Sequence, residues 1–173
     1  GKGMSLAIAA NDAKYDTLDM LEAMLGSAEA ADETYASIVD LTRDTTLTIE
    51  KGQALAQSLA MAGLTNTALL KDAMRSIATV NSVIEGGCDK IQGLIEKATT
   101  TGKFVVNAKK LVGTGVQLKS LYEEISKRTG IGVKGMAKQL AAGKVSAEVG
   151  IAALTTVIET KLGAAARKQA HDL

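Results

Sequence analysis

The chain has 173 residues, 28 of them alanine, with four aromatic rings (Tyr15, Tyr35, Phe104 and Tyr122), no Trp and no Pro. With 46% apolar and 23% charged residues and a net charge of +1, the composition is that of a folded, single-core chain rather than a disordered one. One Cys (Cys88) and one His (His171) exclude an internal disulfide and an ordinary zinc site, and scattered rings exclude a base-stacking RNA platform.

Read from the start, Met4–Ala10 is apolar but short, and Asn11–Asp12 follows at once, which is unlike a signal peptide. Residues 1–23 are expected to form an N-terminal helix or arm. Gly26–Ser27 ends that helix and caps the next, with Glu29 in its first turn, where a carboxylate opposes the positive helix end. Ala28, Ala31, Tyr35, Ile38 and Thr42 then mark one helical face. Thr45–Ile49 reads as a loop, Thr48 as an N-cap with Glu50 behind it, and Gly63 as the stop. Thr65 or Asn66 caps the following helix. Its stripe is Leu69, Leu70, Ala73, Ile77, Val80 and Ile84, with Lys71, Asp72, Arg75 and Ser82 off it.

Gly86–Gly87 breaks the chain before a helix bearing Ile91, Leu94, Ile95 and Ala98. Thr99–Gly102 reads as a loop; Thr45–Ile49 and Lys103–Val106 have the composition of extended pieces, but each is too short for a sheet and reads as a loop. Gly113 and Gly115 flank another break. Leu118, Leu121, Tyr122 and Ile125 form a stripe ended by Gly130. Val133, Met136, Ala137 and Leu140 form one ended by Gly143. Ser146 with Glu148 opens the last helix, striped by Ile151, Leu154, Ile158, Leu162 and Ala165. The expected fold is all-α, a compact multi-helix domain of eight or nine mostly short helices. Leu70, Ile77, Ile84, Leu94, Leu121 and Leu140 should be among its least exposed residues. No run of 18 apolar residues exists, so no simple membrane span is predicted.

The motifs that could carry chemistry are thin. Gly130, Gly132 and Gly135 spell G-x-G-x-x-G, but a charged helical segment precedes them where a dinucleotide site needs a strand, so they read as a helix–helix turn. Glu123 and Glu124 are adjacent, and neighbouring helical positions point about 100° apart, so they cannot bracket one bond. Cys88 opens a helix, a position that lowers a thiol pKa, yet it lacks a base partner and reads as a small core residue. His171 lies three residues from the end of the sequence. The sequence therefore predicts no catalytic residue, no metal site, no cofactor and no enzyme activity.

Charge is divided unevenly. Residues 1–100 hold 8 basic and 14 acidic side chains, a net −6, and residues 101–173 hold 12 and 5, a net +7. The basic set of Lys109, Lys110, Lys119, Lys127, Arg128, Lys134 and Lys138, with Lys144, is the candidate surface for a partner or for phosphates; non-specific DNA contact is one reading of it.

The order of segments carries more than their composition. Met24-Leu-Gly-Ser-Ala-Glu-Ala-Ala31 runs into a helix ending near Arg43. Thr45-Thr-Leu-Thr-Ile-Glu50 opens a helix to Gly63, and another amphipathic helix reaches Ile84. Then come Thr101-Gly-Lys-Phe-Val-Val-Asn-Ala-Lys-Lys-Leu-Val-Gly-Thr-Gly-Val116 and, last, Gly132 through Glu148 with the helix beyond. This succession resembles the tape measure domain of tailed-bacteriophage or prophage tail tape measure proteins, over residues 24–163, with 164–173 as a C-terminal helix extension. Gly143-Lys-Val-Ser-Ala-Glu148 is its closest part. Thr45–Thr46 stands where the family has Thr-Pro, and Gly115-Val116-Gln117 where it has Gly-Val-Pro. The resemblance implies a structural role in setting tail-tube length and tail assembly. It also implies self-association, contacts with tail-tube or tail-tip proteins, and a place in the virion tail lumen after assembly in the host cytoplasm. The alternatives are a helical protein–protein interaction module of adaptor or chaperone type and, behind it, a membrane-active helical bundle.

Overall fold

A computed structural model describes the backbone of residues 2–172 and the side chains of residues 12–162. Among the described residues there are eight α-helices, one 3₁₀ turn and no strand. The helices are α1 (Lys2–Leu25), α2 (Ala28–Asp44), α3 (Ile49–Met61), α4 (Thr67–Val83), α5 (Gly87–Thr101), α6 (Leu118–Thr129), α7 (Met136–Ala141) and α8 (Ala147–Asp172). The 3₁₀ turn is Val133–Gly135. The all-α expectation is met, although α1 and α8, at 24 and 26 residues, are longer than the sequence stripes implied.

Most helix boundaries follow local chemistry. Ser27 Oγ accepts from the Ala30 N–H (3.0 Å), Thr48 Oγ1 from Lys51 (3.3 Å) and Asn66 Oδ1 from Leu69 (3.2 Å), each satisfying one orphan donor of a first turn. Ser146 does the same for Val149 (3.2 Å). Gly130, with φ +80°, ends α6 in the left-handed conformation that side chains resist.

The end of α5 differs from expectation. Thr99–Thr101 are helical, not a loop, and α5 stops only at Gly102. The hydroxyls of Thr99, Thr100 and Thr101 donate to the carbonyls of Ile95, Glu96 and Lys97 at 3.0, 2.9 and 2.8 Å, so three residues with loop-like composition are satisfied inside the helix.

A continuous apolar core runs through the domain. At its centre α4 packs along α8, and α4 also touches α2, α3 and α5. Leu70, Ala73, Met74, Ile77, Ala78 and Val80 are all at most 1% exposed, so the buried face of α4 is wider than its predicted stripe. Leu121 and Leu140 are buried as expected. Ile84 and Leu94 are only half-buried, and Leu69 is 52% exposed. Periodicity reports the angle of a residue around its helix, not its height along it. Leu69 shares a face with Ser76 and Val80 but lies in the first turn of α4, above the neighbours that cover them. Ile84 has left the helix as its extended C-cap. Val133 and Ala137 are exposed as well; Val133 belongs to a 3₁₀ turn and not to the α7 spiral. Ala28, the first residue of α2, is also exposed, and the side chain of Ala165 lies outside the described residues.

Between α5 and α6, residues 103–117 form a strap without regular structure. The strap is nonetheless core. Phe104, Val106, Leu111 and Val116 are buried, and so is Thr114, whose hydroxyl donates to the Leu111 carbonyl (2.7 Å) and accepts from the Val116 N–H (3.1 Å). The Phe104 ring lies against Gly150 of α8, where any β-carbon would overlap it. Lys90 of α5 reaches the Val112 carbonyl (3.2 Å), and Tyr122 of α6 donates to the Val106 carbonyl (3.4 Å).

Candidate basic interaction surface

The predicted basic residues lie on four elements. Lys109 is exposed in the strap, Lys119 in the first turn of α6, Lys134 in the 3₁₀ turn and Lys138 on α7; Lys144 is exposed between α7 and α8. Lys127 and Arg128, in the last turn of α6, sit among carboxylates. Arg128 Nε donates to Glu124 Oε1 (3.1 Å) and its Nη2 to Thr156 Oγ1 of α8 (2.8 Å), so this guanidinium ties two helices together. Lys127 lines the groove between α6 and α8 with Glu123, Glu124 and Lys161. The charge of Arg128 is thus met by Glu124.

Lys110 is different. It is half-buried and faces a cleft of about 370 Å³ whose other charged residues are Lys97 of α5 and Lys103 of the strap. Leu94, Ala98 and Val105 supply its apolar lining. The Lys110 ammonium lies 3.5 Å from the Val105 carbonyl, and the backbone N–H of Lys110 donates to Asn107 Oδ1 at 2.9 Å. Thr101 joins the other two lysines: its hydroxyl donates to the Lys97 carbonyl (2.8 Å) and accepts from the Lys103 N–H (3.3 Å). The stem of Lys103 runs over Gly143, where an added β-carbon would stand 3.4 Å from its Cγ and Cε. Burial, together with the adjacent Lys97 ammonium, holds the Lys110 pKa below the ordinary lysine value.

The sequence reading missed Lys97 and Lys103 as partners of Lys110. Lys97 belongs to the half of the chain that is net acidic, and only the fold of the strap across α5 brings it to Lys110. The signal that was present was local: Lys97, Thr101 and Lys103 follow one another around a helix end.

The remaining chemical candidates lie apart from this cleft. Cys88 is 1% exposed, and burial, then Asp89, pushes its thiol up to about 11, so the expected lowering by the helix start is outweighed. Its backbone N–H is taken by Asn81 Oδ1 of α4 at 2.9 Å. Asp89 pairs instead with Lys51 of α3 (2.9 Å), an exposed bond that raises the Lys51 pKa. Gly130 ends α6, Gly132 precedes the 3₁₀ turn and Gly135 closes it, so the G-x-G-x-x-G run is the turn between α6 and α7. Glu123 is exposed while Glu124 binds Arg128. The side chain of His171 lies outside the described residues. Among the described residues no group of three or more His, Cys, Asp or Glu side chains is placed to hold a metal ion, and no helix is long and apolar enough to cross a membrane.

No protein-family model, no curated protein and no solved structure matches the chain. The likeness to tape measure domains therefore rests on the sequence segments themselves.

Proposed function

We propose that the chain is a structural segment of a phage or prophage tail tape measure protein, acting through surfaces and helix packing rather than through catalysis. The observation that supports this reading is the ordered succession of five segments, from Met24-Leu-Gly-Ser to Gly143-Lys-Val-Ser-Ala-Glu148, in one helical chain. In this reading the chain helps set tail-tube length, associates with its own kind and with tail-tube or tail-tip proteins, and resides in the tail lumen. Lys109, Lys119, Lys134 and Lys138, exposed on separate elements, are its proposed partner contacts.

The alternative is a helical protein–protein interaction module. It is favoured by the groove between α1 and α2, where exposed Tyr15 and Val39 stand beside Asp32 and Asp40. Peptide sequencing of particles purified from cells that encode the chain separates the two. The tape-measure reading expects peptides of this chain in intact tails. Their absence from tails, with the chain recovered only in free cellular complexes, contradicts it and favours the module.

A further inference from the structure

Five surface clefts of about 350–460 Å³ open on the described part of the domain, and four of them carry at least one carboxylate in their lining. The Lys97–Lys103–Lys110 cleft carries none. Three lysines line it, and among the described residues none of the three is paired with a carboxylate. Like charges gathered around an apolar floor repel one another, and the arrangement is relieved when an anion enters. The backbone that carries these lysines is also fixed, by Thr101 between Lys97 and Lys103 and by Asn107 on Lys110, and the Lys103 stem rests over Gly143.

We propose that this cleft is a binding site for a phosphate-type oxyanion. Two features favour phosphate over a single carboxylate. No arginine lines the cleft, so the planar fork that matches a carboxylate is missing, whereas separate ammonium groups act as point charges on a tetrahedral oxyanion. A group with two negative charges also bridges two ammoniums that a monoanion leaves in mutual repulsion. The apolar wall of Leu94, Ala98 and Val105 leaves room for an uncharged portion of the ligand beside the phosphate. The lowered Lys110 pKa agrees with an ammonium waiting for a counter-charge. The inference stands apart from the tape-measure reading, because it needs only the cleft.

The test is calorimetric titration of the full chain with pyrophosphate at low salt, with sodium acetate as the monoanion control. One saturable site for pyrophosphate and none for acetate is expected. Lys97→Gln and Lys110→Gln should each weaken binding roughly tenfold or more, as the loss of a charge-assisted contact does. Lys71→Gln and Lys161→Gln, which remove exposed charges outside the cleft, should leave it within about twofold if the effect is local and not a general field. Lys97→Arg, which keeps the charge, should retain most of the binding. If Lys110→Gln does not fold by far-UV circular dichroism, Lys103→Gln, at an exposed position, takes its place. Competition by a short single-stranded DNA oligonucleotide identifies the source: displacement of pyrophosphate with the same variant dependence indicates backbone phosphates, and failure to displace it indicates a free phosphate compound. Absence of saturable pyrophosphate binding, or equal weakening by the cleft and control substitutions, overturns the proposal.

Discussion

The helices α2 to α4 and the stretch from residue 102 to 146 reach order by different routes. In the first, each helix starts on its own polar cap (Ser27, Thr48 and Asn66), and long apolar stripes follow. In the second, α6, the 3₁₀ turn and α7 start without a side-chain cap, and five glycines with positive φ (Gly102, Gly113, Gly115, Gly130 and Gly143) steer the backbone. What fixes the second region is its packing against α5 and α8. The strap buries Phe104 against Gly150 and hangs on Lys90 and Tyr122. Irregular backbone is thus as deep in this core as helix is. The difference teaches that local capping specifies one region, while the other is specified by what it packs against.

The sharpest challenge to that comparison is Phe104→Ala. A ring 1% exposed should cost about 3–5 kcal/mol in chemical denaturation, as much as any helix residue. A cost below about 1 kcal/mol would make the strap a peripheral loop, well under the range for buried rings. Gly150→Ala should cost about 1–3 kcal/mol by overpacking, and because it meets the same ring the two changes together should cost less than their sum.

On the helical side, Ile77→Ala should cost about 2–5 kcal/mol. Leu69→Ala, on the same predicted stripe but 52% exposed, should stay within about 0.5 kcal/mol. Similar costs for the two would mean that the stripe alone, and not its cover, sets burial.

A smaller effect sharpens the contrast in helix ends. Ser27→Ala should lower stability by about 1 kcal/mol through loss of a cap. Gly130→Ala, forced to φ +80°, should lower it by about 1–2 kcal/mol through backbone strain. Thermal melting of both variants shows whether the two kinds of helix end carry comparable weight.

Cys88 links stability to pH in alkaline solution. The Cys88 thiol is raised to about 11 in the folded chain, so below the pKa of an unfolded cysteine both states hold the proton and stability is unchanged. Above that value the unfolded chain ionises first, and stability should fall until the pH passes about 11. Cys88→Ala should flatten this part of the denaturation profile relative to wild type. An unchanged alkaline slope in the variant would assign it to other groups.

Much of the helical architecture was legible because its signals are local. Ser27, Thr48, Asn66 and Ser146 cap, and Gly130 and Gly143 stop, for reasons contained within a few residues. The burial of Leu70, Ile77, Leu121 and Leu140 followed from periodicity. The strap was harder to read. Lys103–Val106 reads as a loop, but nothing in that stretch announces that Phe104 meets a glycine 46 positions later. The three threonines of α5 look like a loop because their alternative hydrogen bonds, back to the preceding turn, appear only once the helix exists. The candidate site was partly hidden for the same reason. Lys110 was visible as a basic residue, but its grouping with Lys97 is a product of tertiary folding, and Arg128 was lost to Glu124 and Thr156.

The proposed tape-measure role is tested most directly by tail length in electron micrographs of particles from cells that encode this chain. In-frame removal of residues 28–83 takes out about 56 residues, on the order of 80 Å if counted as continuous helix, and in-frame duplication adds as much. The account predicts uniformly shorter tails for the deletion and longer tails for the duplication; where the deletion stops assembly altogether, the duplication decides. Intact tails of unchanged length in either case would contradict it.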